Sequence, residues 1–388
     1  MNAKVCSIMG DSALPTAPSP VFGGSIVICL HSGVHLFTLN ARLEDSGCFG
    51  RSLRWNSTQK AGSLFLKGVR NKSTMDIKAY RYVDGLWMHK IFHEDTLRSL
   101  FSYTPRPDDV FIATYPKCGT TWTQYLVLNI LRKGEPPKTA LDFCLASPFL
   151  EMMGAEAAEK MVRPGLLKVH LPFQWTPYSA NAKYICVTRN PYDVCVSFYY
   201  HMKGFTPKSE KDASFARFHE LFINGKLSWG DYFDHLLSWY EHRDSENVLF
   251  FTYEKLKEDT ANWVLKIADF LGEEYGEELR KDSALLRKIL DNCSLENMKG
   301  VFNDKMGTLI KDLLNLPAEK ALKSVEVLRE RDIPIGGYHD SENFIRKGAI
   351  GDWRAHFTPD QIEKTKSWIK KKTEGSDVMN LWGDMDLP

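Results

Sequence analysis

The chain has 388 residues, of which 43% are hydrophobic and 26% charged, a size that suits one large domain or two ordinary ones of about 100–200 residues each. That composition excludes collagen-like, disordered and multi-span membrane proteins. Fifty Lys and Arg against forty-nine Asp and Glu leave a net charge of +1, so no global field draws the chain to nucleic acid or to an anionic membrane, and any basic chemistry is local.

Residues 1–74 differ from the rest: they carry eight Lys and Arg against three Asp and Glu, and are rich in Ser and Gly without clear helical or strand periodicity. Their one apolar run, residues 21–39, has about the minimum length for a membrane span. It contains three Gly, two Ser, one Thr and two His, and positive charge is heavier on its C-terminal side, which weighs against an anchor. A transit peptide is a second reading, without the usual Arg-rich start. The favoured one is a disordered or alternative-start extension, with the functional part beginning at Met75 and spanning residues 75–388. The eight cysteines include no CxxC pair and no Cys/His spacing suited to zinc, so no structural metal is expected. Cys144 and Cys186 sit in apolar stretches and read as reduced thiols of a cytoplasmic protein.

The first element of the main part is a strand over 109–116 (DVFIATYP), followed at once by KCGTT and a helix over WTQYLVLNILRKG. Trp122, Tyr125, Leu126, Leu128 and Leu131 form its buried face, Thr120 or Thr121 caps its start, and Gly134 before Pro136 stops it. Further strands are expected at 166–171, 183–188 and 247–253, and helical patterns follow the last two, in PYDVCVSFYYHMK and ANWVLKIADFLG. Strands alternating with helices predict an α/β fold with a central parallel sheet covered by helices on both faces. A strand running into a Gly-containing loop with Lys and two Thr, then a helix, is suited to phosphate, because backbone N–H groups and the helix N-terminus face the anion. YPKCGTTW is not a Walker A loop, since Lys117 precedes the single Gly119. Alone it is equally an ordinary strand-to-helix turn with a capping Thr.

The octet does not stand alone. Together with KVHLP (168–172), RNPYDVCVSFYYH (189–201) and RKGAIGDW (346–353), it resembles the cytosolic sulfotransferase family, which reads YPKSGTTW in its phosphosulfate loop and RKGxxGDW late in the chain. The resemblance implies a single P-loop-like domain that moves a sulfuryl group from 3′-phosphoadenosine 5′-phosphosulfate (PAPS) to a hydroxyl or amine and releases 3′,5′-adenosine bisphosphate (PAP). It maps Lys117 beside the bridging oxygen of the phosphosulfate, with Cys118, Gly119, Thr120 and Thr121 around the 5′-phosphate. Arg189 and Ser197 fall at the 3′-phosphate, joined by Arg346, Lys347 and Gly348. Trp122 and Tyr253 fall at the adenine, as does Cys293-Ser294-Leu295 where the family reads TSF; Leu295 replaces the aromatic, and alone this segment reads as a helix cap with Ser294 at the N-cap.

His170 is the candidate general base, since imidazole titrates near working pH, and Lys168 lies on the same strand face. By resemblance Ser197 also restrains Lys117. The implied reaction is an in-line displacement without metal or covalent intermediate. Cys118 stands where the family has Ser, and a thiol at a helix N-terminus beside Lys117 is expected to have a depressed pKa. The family dimer motif KxxxTVxxxE is altered by Arg354 and by Pro359, which lacks a donor for an interface strand, leaving the homodimer open. The acceptor is expected between segments 141–153 (Phe143, Phe149, Met152), 173–178 (Trp175) and 301–309. Their aromatic and apolar side chains favour a phenol, catechol or sterol over a carbohydrate, with no nucleic-acid or membrane partner. The rival readings are a nucleotide-binding protein of the same fold without activity and a P-loop kinase.

Overall fold

The computed structural model describes residues 23–30, 33–40, 77–205, 214–303, 309–317, 321–330 and 344–388. The chain divides into two compact units, Met1–Val69 and Arg70–Pro388. In the first, strands β1 (Gly23–Leu30) and β2 (Gly33–Asn40) pair antiparallel, from Gly23 opposite Asn40 to Leu30 opposite Gly33. The apolar run in which no strand periodicity was expected is thus extended, in keeping with its β-branched Ile26, Val27, Ile28 and Val34. Among the described residues no helix is long and apolar enough to cross a membrane.

The second unit begins with a hairpin of β3 (Tyr80–Val83) and β4 (Leu86–His89). Its two turn residues, Asp84 and Gly85, are both left-handed at φ 49° and 89°, the Asp-Gly combination that matches the twist of paired strands. Helix α1 (Glu94–Phe101) leads into the central sheet of β5 (Asp109–Ala113), β6 (Gly165–Val169), β7 (Lys183–Thr188) and β8 (Val248–Thr252). Its order is β6-β5-β7-β8, and all neighbours are parallel.

Alternate residues of these strands feed opposite faces, as the pleat requires. Val110, Ile112, Leu166, Ile185, Val187 and Phe251 join one core with helix α2 (Thr120–Leu131), and Phe111, Ala113, Leu167, Val169, Tyr184 and Cys186 join the other. That is the expected sheet with both faces covered. Three strands end earlier than expected, β5 at Ala113, β6 at Val169 and β8 at Thr252, and Tyr253 opens a helix (Tyr253–Glu258). The chain leaves β5 toward one edge of the sheet and β7 toward the other, so a crevice opens between their C-terminal ends, where open α/β sheets hold ligands.

Candidate active site

Each sheet strand hands over to a chemically active residue just past its C-terminal end: Lys117 after β5, His170 after β6, Arg189 after β7 and Tyr253 after β8. In the loop after β5, Lys117 and Gly119 are left-handed at φ 72° and 96°, which turns successive N–H groups into a concavity suited to an anion. The N-cap of α2 is Gly119 rather than Thr120 or Thr121, and no side chain caps it, so the first N–H groups of the helix lack a side-chain acceptor there. Gly119 lies against Tyr253, where an added Cβ would come within 2.8 Å of Cδ2. Gly119→Ala therefore combines left-handed strain with a clash, at about 1–3 kcal/mol. Calorimetry should show a fall in Tm of about 2–4 °C for each kcal/mol; an unchanged Tm would mean that the loop adapts freely.

The Lys117 ammonium sits 3.4 Å from Nδ1 of His201 and 5.2 Å from the centre of the Phe344 ring. Burial and the charges of Lys168, Arg189 and Arg346 lower its pKa to about 7. The cluster therefore carries more positive charge than its surroundings balance.

Beside this loop, the buried Arg189 donates through Nη1 to the Lys117 carbonyl at 3.5 Å and through Nη2 to that of Ala349 at 2.8 Å, stacks 4.5 Å from the Tyr253 ring centre, and keeps an Nε without a partner. Helix α3 spans Ala140–Ala146, α4 Leu150–Lys160 and α5 Pro191–Phe205. In the first turn of α5 the buried carboxylate of Asp193 accepts the N–H groups of Gly351 and Trp353 at 2.8 and 3.1 Å. That clamp holds the 346–353 segment over the crevice. Arg346 and Lys347 share the Asp352 carboxylate at 2.6 and 2.7 Å. The Gly348 carbonyl accepts from the Tyr253 hydroxyl at 3.1 Å and from the Lys257 ammonium. Ser197 is half-buried one turn beyond Asp193. Trp122 stands edge-on to Tyr253 with centroids 5.6 Å apart, and its indole N–H donates to the Cys293 carbonyl at 3.1 Å. Ser294 caps the helix Leu295–Phe302, while Leu295 approaches Gly348, where an added Cβ would lie 3.0 Å from its Cδ1.

On the far side, His170 Nδ1 is 2.7 Å from the Thr114 carbonyl oxygen. An N–H donated there leaves Nε2 as the unprotonated nitrogen. Burial, and then the charge of Lys168, push the imidazole pKa well below its usual value, so the ring is neutral. Lys168 places its ammonium 4.0 Å from the centre of the Phe149 ring, and His170 meets that ring edge-on at 5.1 Å. Trp229 packs edge-on to His170 at 5.0 Å, and Phe92 contacts both Phe149 and Trp229.

Several expectations change. The Cys118 thiol is fully buried, and burial raises its pKa rather than depressing it, because the side chain points into the core while the backbone faces the crevice. Phe143 belongs to the core, packed on Tyr125 and Phe302. Trp175 donates to the Asp84 carbonyl at the hairpin turn. Pro359 is not in a strand: it opens the helix Pro359–Lys372 behind a Thr358 capping box, where its missing N–H costs nothing. Arg354 pairs with Asp386 at 3.0 Å, and residues 304–308 lie outside the described residues. The sequence reading missed Thr114, Glu151, Asp193, His201 and Trp229. Of these, Glu151 carried a signal, as a lone acid in the apolar run SPFLEMM.

Residues 107–377 match the sulfotransferase domain family. Sulfotransferase 1C2 of Homo sapiens is 32% identical over 294 residues, covering 73% of this chain and 89% of that protein. An amine sulfotransferase of Oryctolagus cuniculus is also 32% identical, covering 74% and 87%. The crystal structure of mouse sulfotransferase SULT7A1 complexed with PAP superposes with a TM-score of 0.57 at 27% identity, over 78% of this chain and 96% of that one. A retinol dehydratase complexed with androsterone and PAP shares the fold, with a TM-score of 0.61 at 24% identity over 79% and 93%.

Proposed function

The chain belongs to the sulfotransferase domain family, and on that premise we propose that it transfers a sulfuryl group from PAPS to a hydroxyl or amine of a small lipophilic acceptor such as a phenol, catechol or sterol. The observation that carries this reading is the cluster of cations at the sheet's C-terminal edge, where Arg189 and Arg346 act on Lys117 and Lys347 shares Asp352 with Arg346. The aromatic rings of Trp122 and Tyr253 lie beside them. These residues fit a doubly anionic nucleotide, because the unpartnered buried Nε of Arg189 and the depressed pKa of Lys117 are both relieved by an anion.

In this reading the 118–121 backbone and the side chains of Thr120 and Thr121 hold the 5′-phosphate. Arg189, Ser197, Arg346, Lys347 and the Gly348 backbone hold the 3′-phosphate, and Trp122, Tyr253 and residues 293–295 frame the adenine. Bound there, PAPS supplies the sulfuryl group. Lys117 and Lys168 offset the charge that develops around it, and the neutral His170, with Nδ1 tied to Thr114, takes the acceptor proton on Nε2. The wall of Phe92, Phe149 and Trp229 beside His170 favours an aromatic or lipophilic acceptor. Residues 75–388 form the catalytic domain, residues 1–74 an extension, and the setting is cytoplasmic.

Incubation with labelled PAPS and a panel of phenols, catechols and sterols tests the reading, and a labelled sulfate ester with stoichiometric PAP is expected. Nucleotide binding without product would select the inactive alternative, and transfer of phosphate from ATP would select the kinase.

A further inference from the structure

We propose that Glu151 is a positioning residue for the acceptor side of the site, holding the His170 backbone and the Trp229 indole on one buried carboxylate and supplying the counter-charge to Lys168. The inference rests on the sulfuryl-transfer reading above. Glu151 has no exposed surface. Its Oε1 accepts the backbone N–H of His170 at 2.5 Å and the indole N–H of Trp229 at 3.1 Å, while Oε2 has no hydrogen-bond partner. A buried carboxylate with one oxygen unsatisfied is costly unless charge nearby offsets it; here Lys168 is the cation that interacts with it.

The surroundings are arranged around this group. Glu151 lies in the short first turn of α4, ahead of the break at Gly154, whose φ is 71°. The residues before it run along the exit of β6: Phe149 forms a parallel bridge with Lys168, whose N–H donates to the Pro148 carbonyl at 3.0 Å. Trp229 has φ 69°, a strained conformation for a bulky residue. The β3–β4 hairpin holds it there, through Trp229 N–H to the Trp87 carbonyl at 3.0 Å and His89 N–H to the Ser228 hydroxyl at 3.1 Å. Three separate segments therefore converge on one carboxylate beside His170 and Lys168.

The groups acting on Lys168 are Glu151 and the Cys144 thiol; those acting on His170 are Lys168, His235 and Lys117. Burial lowers the Lys168 pKa and the Glu151 charge opposes that fall. Burial raises the Glu151 pKa, and the His170 and Trp229 hydrogen bonds oppose that rise.

Two variants of the full chain test this with opposite signs. Glu151→Gln keeps an acceptor for both N–H groups but removes the charge, so the Lys168 pKa falls and the alkaline limb of kcat/KM for the acceptor moves to lower pH by about one unit or more. Trp229→Phe removes one hydrogen bond to the carboxylate, so the Glu151 pKa rises and the acid limb moves up. PAP affinity should be unchanged in both, because neither group belongs to the nucleotide side. Lys168 is titrated in parallel by pH-dependent acetylation read by mass spectrometry, which needs no turnover. A folded Glu151→Gln protein whose rate profile and Lys168 titration superpose on the parent would overturn the inference. If that variant does not fold, an unmoved acid limb in Trp229→Phe does so. A parent chain that never consumes PAPS fails the functional reading instead, and the Lys168 titration in Glu151→Gln then decides the present one.

Discussion

His170→Ala is expected to remove turnover while PAP binding survives, with kcat falling about 100- to 10,000-fold, the range that a positioned general base supplies. The asymmetry follows from where the ring is tied. Its Nδ1 faces the Thr114 carbonyl, its faces meet Phe149 and Trp229, and its backbone N–H meets Glu151. None of these partners is Arg189, Arg346 or Lys347. The ring is neutral, because burial and Lys168 hold its pKa well below the usual value, so it can accept a proton across the neutral pH range. Isothermal titration with PAP and steady-state kinetics on the same preparation separate the two effects. Near-normal kcat, or a loss of PAP affinity as large as the loss of rate, would refute the base assignment.

PAP binding should take up a proton through Lys117 and weaken as pH rises above about 7. Burial and the neighbouring Lys168, Arg189 and Arg346 lower the Lys117 pKa to about 7, and phosphate oxygens placed among these cations restore it toward its ordinary value. Between those two values the bound state holds a proton that the free state has lost. Affinity is therefore full below pH 7 and falls by at most tenfold per pH unit above it, until the bound-state pKa is passed. Calorimetry in buffers of different ionisation enthalpy counts the proton directly. Lys117→Met should abolish the uptake and lower kcat by about 100- to 1,000-fold, comparable to removing one donor from a developing charge. Affinity independent of pH from 7 to 9 in the parent protein would show that Lys117 is already charged in the empty site.

Much of this candidate site was readable along the chain, because the residues proposed to bind the nucleotide lie in short segments, most of them just past strand ends. Lys117 and Gly119, Lys168 and His170, and Arg346 to Gly348 each fall within two positions of one another, and Arg189 and Ser197 within eight, so local order alone groups them. Hydrophobic periodicity likewise marked the four sheet strands and α2, since a strand buried on both faces and a helix within a core must each be apolar in their own period. The hairpin at Asp84-Gly85 was overlooked although its turn dipeptide was visible.

Other features depended on distant segments meeting. Asp193 is an unremarkable acid in RNPYDV until Gly351 and Trp353 arrive to donate to it, and Glu151 becomes a junction only when His170 and Trp229 reach it. Cys118 reads as a thiol of depressed pKa at a helix start, and its raised pKa comes from the core that closes over it. Pro359 reads as a broken strand and serves as a helix start. The amino-acid sequence by itself determined the fold class and the family and grouped the segments proposed to meet the nucleotide, because those rest on local pattern and spacing. The tertiary structure alone decided the directions of the pKa shifts, the aromatic wall beside His170 and the buried carboxylate that braces it, because burial and through-space charge depend on which segments are packed together.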